Sequence, residues 1–147
     1  MIRRPLRRDR RAATSVEFAI VGTMLCLVTF GIVETSLLWW LRTGMEAAAS
    51  MTARCGAIGY TYNTSTCTSP TATQNYAVSA AQTWTMTLAH NITASDVTVN
   101  GRVTNSPYCN NAAGSYFSVS ISYNFGNLPP PLGGYSTLVA SACYPMQ

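Results

Sequence analysis

Hydrophobic residues are concentrated in one long run near the N-terminus, and shorter alternating runs follow it. Phe18 to Val33 is sixteen residues without a charge, Glu34 interrupts the run, and Thr35 to Leu41 continue it. A bilayer core about 30 Å thick needs about 20 apolar residues in a helix. Only a helix pairs its backbone groups within a single lipid-exposed segment. The pattern therefore predicts one transmembrane helix over residues 18–41.

The helical pattern continues beyond the membrane run. Arg42, Glu46, Ser50 and Arg54 fall on one side of it, and Arg42 and Glu46 have the spacing of an ion pair. The opposite, apolar side consists of Leu37, Leu41, Gly44, Ala48, Met51 and Cys55. We therefore expect one helix over residues 13–58, ended by Gly56 or Gly59.

The remaining residues, 59–147, predict one small domain outside the membrane. Residues 60–73 are rich in Thr, Ser and Tyr and are interpreted as a loop. A helical stripe over 74–90 follows, with Trp84 as its expected core anchor: Ala77, Ala80, Ala81, Trp84 and Leu88. Alternating residues predict strands over 96–104, 116–125 and 137–144, with a bulge or bend at Gly101. A helix against a three-stranded antiparallel meander is an α+β fold.

Charge is distributed unevenly. Residues 1–11 hold six Arg and one Asp, a net charge of +5, whereas residues 12–147 hold three Arg and four acids, a net charge of −1. Arginines keep their flank of a membrane helix in the cytoplasm, and Trp39 and Trp40 mark the opposite interface. The basic residues thus indicate a cytoplasmic N-terminus and an extracytoplasmic domain, and not a nucleic-acid-binding surface. Residues 59–147 carry just two charges, Arg102 and Asp96, which suits a subunit packed among neighbours.

The junction of the basic leader and the apolar run resembles the processing region of TadE-like pseudopilins of tight-adherence (Flp) pili, within the type IV pilin superfamily. The resemblance covers residues 8–55 and rests on three segments: RRAATSVEF at 10–18, FGIVE at 30–34 and the Ala-rich stretch ending in Ala53-Arg54. It implies a leader of residues 1–12, cut by a prepilin peptidase between Ala12 and Ala13. Ala12 stands where glycine is usual, and Thr23 stands where proline is often found.

The resemblance implies a minor pilin in the bacterial inner membrane that joins other pilin subunits through the pilus assembly machinery and contributes to adhesion. Glu17 would be the fifth mature residue, beside Phe18, with its carboxylate facing a freed N-terminal amine. A second interpretation of Glu17 is a capping box with Thr14. Small residues that let helices approach closely share one face: Ala19, Gly22, Thr23, Cys26 and Thr29. Glu34 either has a partner in the membrane or reaches the outer headgroups.

Two other functions remain open. A membrane-anchored domain could bind a ligand or partner at the surface without assembling. A secreted domain could be released after Ala47-Ala48-Ala49, which resembles a signal-peptidase site. A signal peptide has an apolar region of about 7 to 15 residues, shorter than the run here. The cluster of small residues, Glu17 and Phe18 favours the pilin, because a plain anchor needs none of them.

Five cysteines bear on stability more than on chemistry. Cys26 lies within the apolar run, and the other four predict two disulfides in an oxidising compartment. Three pairings are open. A register with Phe125 opposite Ser136 places Cys143 near Cys109 and leaves Cys55 to pair with Cys67. His90 and Asp96 are the one histidine and the one acid after Glu46, so we expect no enzyme, metal site or cofactor.

Overall fold

The first element is a helix of 53 residues, α1 (Arg10–Tyr62), which contains the whole apolar run. The computed structural model describes residues 10–62, 66–85, 92–104, 109, 114–124 and 137–146. After α1 come helix α2 (Pro70–Trp84), a 3₁₀ turn (Ala94–Asp96) and strands β1 (Val97–Thr104), β2 (Ser115–Asn124) and β3 (Thr137–Pro145). The chain divides into two units, Met1–Leu38 and Trp39–Gln147. The predicted α+β class, with one long helix, a second helix and a three-stranded antiparallel sheet, is confirmed.

The three strands form one antiparallel sheet in the order β1-β2-β3, which is the predicted meander. Asn124 pairs with Thr137, and Ser118 pairs with Cys143. The predicted Phe125–Ser136 pair lies outside the described residues. A shift of register between Asn100 and Arg102 confirms the predicted bulge at Gly101.

The core of the second unit joins one face of α1 to α2 and to the inner face of the sheet. Its largest fully buried side chains include Phe117, Met45 and Ile121. The helices contribute mostly small residues to the same hydrophobic cluster: Ala48, Ala49, Ala53, Ala57, Ala77 and Ala81. Large strand residues therefore fill the space that small helix residues leave, which gives a close-packed interior.

The end of α1 differs from the prediction. The helix does not stop at Gly56 or Gly59 but continues to Tyr62. Gly56 is needed for packing, because a Cβ there would overlap the ring of Phe117. The ring of Tyr60, one turn further on, lies 5.2 Å from that of Phe117. Partial burial raises the pKa of the Tyr60 hydroxyl above its usual value.

The predicted apolar side of α1 is correct in part. Leu41, Gly44 and Ala48 are buried, but Leu37 and Met51 are 49% and 43% exposed. The buried arc is wider than the predicted stripe because two elements cover it. Gly44 meets Trp84 and Thr85 at the end of α2, and Gly56 meets Phe117 of β2. On the opposite side, Arg42 Nε lies 3.1 Å from Glu46 Oε1, which confirms the predicted ion pair.

Helix α2 begins four residues before the predicted start, within the segment interpreted as a loop. Ser69 is its N-cap, since the Ala72 N–H donates to Ser69 Oγ at 3.2 Å, and Pro70 occupies the first turn. Ala77 and Ala81 are buried as predicted, whereas Leu88 lies outside the described residues. Trp84 is not the core anchor. It ends the helix at the margin of the core, where its side chain is 44% exposed.

Candidate functional site: the N-terminal half of α1

The N-terminal half of α1 presents an apolar surface that nothing among the described residues covers. Its large side chains are exposed from Val16 at 60% through Phe18 at 80% to Val33 at 56%. By length and composition this helix could cross a membrane near its N-terminus. A contiguous apolar surface of this extent indicates contact with lipid or with other helices.

Four hydroxyl side chains of this segment donate hydrogen bonds to backbone carbonyls of the same helix. Thr23 Oγ1 donates to the Ala19 carbonyl at 2.7 Å, and Thr29 Oγ1 donates to the Leu25 carbonyl at 2.9 Å. Thr35 and Ser36 donate in the same way to carbonyls one turn back. Each of these hydroxyls is hydrogen-bonded to a carbonyl of its own helix. Transferring it into lipid therefore costs little free energy. The sequence contains a signal for these hydrogen bonds, a Ser or Thr at each of these positions. The prediction of a small-residue face considered only the size of these side chains.

The residues of the predicted processing site all lie within α1. Ala12 and Ala13 follow the first described residues of the helix, and Glu17 and Phe18 stand exposed one turn later. The capping-box interpretation of Thr14 and Glu17 is wrong for this chain, because α1 begins at Arg10 and both residues lie in the helix interior. A cut between Ala12 and Ala13 would make Ala13 to Glu17 the first turn of the shortened helix, where a carboxylate is favoured by the helix dipole.

The small residues of the predicted assembly set share one face of this helix, and Glu17 lies on the opposite face. Ala19, Thr23 and Cys26 follow each other at helical spacing and are exposed, and Gly22 beside them is half-buried. Cys26 is a free thiol. Glu34 is exposed eight residues beyond Cys26. The structure thus presents the small residues and Glu34 at the surface of the helix, where a neighbouring helix or lipid can reach them.

Both predicted disulfides are present. Cys55 bonds to Cys67 across 12 residues, and Cys109 bonds to Cys143 across 34 residues. The first bond ties the last turns of α1 to the segment before α2. The second ties the connection between β1 and β2 to the outermost strand, β3. Both bonds cross-link the second unit, whose core is small.

The acid that the sequence singled out has a structural role. Asp96 Oδ2 accepts from the Thr93 backbone N–H at 2.9 Å and from the Thr93 hydroxyl at 2.8 Å. These bonds cap the 3₁₀ turn that leads into β1. His90 lies outside the described residues. The carboxylate is therefore used in shaping the entry to the sheet.

Comparison with known proteins finds a similarity in the N-terminal part of the chain. The family model of TadE-like proteins matches residues 12–54, which is 43 of the 147 residues. The match begins at the residue before the predicted cut and ends at Arg54, within the range of the resemblance described above. No curated protein and no solved structure matches the chain.

Proposed function

Because residues 12–54 are TadE-like, we propose that the chain is a minor pilin of a tight-adherence pilus. It is held in the bacterial inner membrane by one span, with the N-terminus in the cytoplasm and the second unit outside. A prepilin peptidase removes residues 1–12, and the mature subunit joins other pilin subunits through the pilus assembly machinery. The role is structural and adhesive rather than catalytic.

The observation that carries this proposal is the combination of a TadE-like match with an exposed apolar helix. A helix whose large side chains are 56–80% exposed needs a lipid or helical environment. Its hydroxyls are bonded internally, so the same surface suits both a bilayer and a helical bundle. A subunit that leaves the membrane to enter a filament must be compatible with both environments.

Two properties of the second unit support a location outside the cytoplasm and among neighbouring subunits. Its two disulfides form and persist in oxidising compartments. Residues 59–147 carry one Arg and one Asp, so neighbouring copies experience little charge repulsion. Six arginines precede the span, and an arginine-rich flank favours the cytoplasmic side, which supports a cytoplasmic N-terminus.

The deciding experiment is intact mass and N-terminal sequencing of the protein extracted from membranes that contain the matching peptidase. We expect a start at Ala13. Ala12→Gly should be cut at least as well, because glycine is usual at this position, and Ala12→Arg should be cut poorly. A start at Met1 in every variant would indicate a plain membrane anchor, and a start at Ser50 would indicate secretion. Either result would exclude the proposed processing.

A further inference from the structure

All three tryptophans of the chain lie at one end of the second unit, and all three are exposed. Trp39 and Trp40 are the first residues of that unit, and their side chains are 70% and 52% exposed. Trp84 is the last residue of α2, far away in sequence, and is 44% exposed. We call these three side chains the tryptophan end.

The close approach of α2 to α1 at Gly44 brings these residues together. The carbonyl oxygen of Trp84 lies 3.0 Å from the position of a Cβ on Gly44, and Thr85 Cγ2 lies 3.2 Å from it. Trp40 precedes Gly44 by four residues, so the two share a face of α1 and are separated by about 6 Å along its axis. Trp84 therefore leaves α2 within about one helical turn of Trp40.

The position of the tryptophan end along the chain indicates which environment suits it. The apolar run ends at Leu41, between the two neighbouring tryptophans and Gly44. An indole ring has an apolar body and one N–H donor, and it prefers the headgroup level of a bilayer to water or hydrocarbon. The part of the Trp84 side chain that the protein leaves exposed would gain from such an interface.

We propose that the tryptophan end is a membrane-contact surface, in which the Trp84 ring sits in the headgroup region of the bilayer that α1 crosses. The partner is lipid, because the surface is continuous with the segment that enters the membrane. This contact holds the second unit against the bilayer through α2 as well as through α1. The inference rests on the proposed membrane insertion of α1, and the experiment below separates the two.

The test uses tryptophan fluorescence of the full chain reconstituted in phosphatidylcholine bilayers. Trp39→Phe/Trp40→Phe leaves Trp84 as the single emitter, and Trp84→Phe leaves the pair. Bilayers brominated near the headgroup end of the acyl chains, or near the chain terminus, quench tryptophans at the corresponding depth. We expect Trp84 emission to be blue-shifted, quenched more by the shallow bromines than by the deep ones, and protected from aqueous iodide.

A matched control places a tryptophan at the other end of α1. Tyr62 is the last residue of α1 and is 60% exposed. It lies roughly 30 Å along the helix from Trp40. Tyr62→Trp in a chain with the other three tryptophans replaced by Phe should be quenched by iodide and not by brominated lipid. Non-reducing peptide maps of every variant confirm that both disulfides have formed and that the unit has folded.

The outcomes distinguish the inference from its premise. If the Trp39 and Trp40 pair is quenched by lipid but Trp84 is not, α1 is inserted and the proposed contact is wrong. If Trp84 is protected from iodide yet unaffected by brominated lipid, its partner is protein, and the lipid proposal is also overturned. If the pair itself shows no lipid quenching, membrane insertion fails, and the proposed function fails with it.

Discussion

Gly56 is a position of close approach between α1 and the sheet. A Cβ there would overlap the ring of Phe117, which is fully buried. Gly56→Ala gains about 1 kcal/mol of helix propensity but overpacks the core at a cost of about 1–3 kcal/mol. We expect a net loss of stability, seen as a lower midpoint in thermal unfolding of the full chain in nanodiscs.

The matched control for this substitution is Gly101→Ala. Gly101 lies at the bulge of β1, and an added Cβ there meets nothing within 4 Å. Its unfolding midpoint should stay close to that of the unaltered chain. Equal midpoints for the two variants would show that Phe117 can move and that Gly56 is not constrained by packing.

Gly56 also shows that a glycine near the end of a helix can have two different structural roles. A glycine near the end of a helical pattern is typical of a C-cap, and the sequence was interpreted in that way. The alternative, a glycine that makes room for a ring, depends on Phe117, which is 61 positions away and belongs to a strand. Local patterns carry no information on such a pair. Residues whose partners are near in sequence, such as Arg42 and Glu46, are easier to predict from a local pattern.

Among the elements, α2 depends on its first turn. Ser69 Oγ accepts from the Ala72 N–H at 3.2 Å, and Pro70 follows it. Ser69→Ala removes the acceptor and should lower the stability of the second unit by about 0.5–2 kcal/mol. Thermal unfolding measures the loss, and the exposed Thr68→Ala is the neighbouring control. A loss equally large for Thr68→Ala would indicate a general effect of this segment and not a helix cap.

The strands were more predictable than the start of this helix. In β2, four large residues alternate with serines, and that alternation predicts which face packs on the core, although Ser118 on the other face is buried as well. Before α2, Thr, Ser and Pro occur together, and this composition is typical of both a loop and a capped helix start. The order Ser69-Pro70 indicates a capped helix start, whereas the polar composition of residues 60–73 led to the prediction of a loop. Register followed correctly because the faces of β2 and β3 constrain it.

The two disulfides should differ in their effect on stability. In the chain-entropy model a bond stabilises more when it closes a longer loop, here 34 residues for Cys109–Cys143 against 12 for Cys55–Cys67. The model gives a difference of about 1 kcal/mol. We expect Cys109→Ser/Cys143→Ser to lower the unfolding free energy more than Cys55→Ser/Cys67→Ser.

Chemical unfolding of the extracted full chain measures this order. Cys26→Ser is the control, because Cys26 is an exposed free thiol outside the second unit. It should leave both the unfolding free energy and the yield of subunit unchanged. The reverse order for the two double variants would mean that the helix junction at Cys55, rather than the sheet, limits the stability of the unit.

For the whole molecule, the type and order of the structural elements were easier to predict from the sequence than the surfaces that remain exposed. The membrane run, the α+β unit and the TadE-like region each follow from patterns within a few dozen residues. Which surfaces remain uncovered depends on how distant segments pack. Trp84 has the helical spacing of a core residue, yet it is exposed because α2 ends where the core ends. The candidate processing and assembly residues could be named from the sequence because the motif that holds them is local, and their roles stay predictions.

The final prediction joins Glu17 to the assembled state. Glu17 is exposed on α1 beside the proposed cut, and Phe18 next to it is 80% exposed. If the mature amine and this carboxylate pair between neighbouring subunits, the pair would lie in a bundle of apolar helices, where an unpartnered charge is strongly disfavoured. Glu17→Ala and Glu17→Gln should therefore be processed and reach the membrane, but be missing from sheared filaments.

Glu46→Ala is the matched control, because Glu46 is an exposed acid of the same helix whose partner, Arg42, is already within the chain. That variant should enter filaments normally. Immunoblots of sheared and membrane fractions measure the distribution of each protein. Normal incorporation of both Glu17 variants would contradict the proposed ion pair between subunits, since neither variant retains the negative charge. Loss of Glu17→Ala alone would assign the requirement to the length and hydrogen bonding of the side chain, because Glu17→Gln keeps both without the charge.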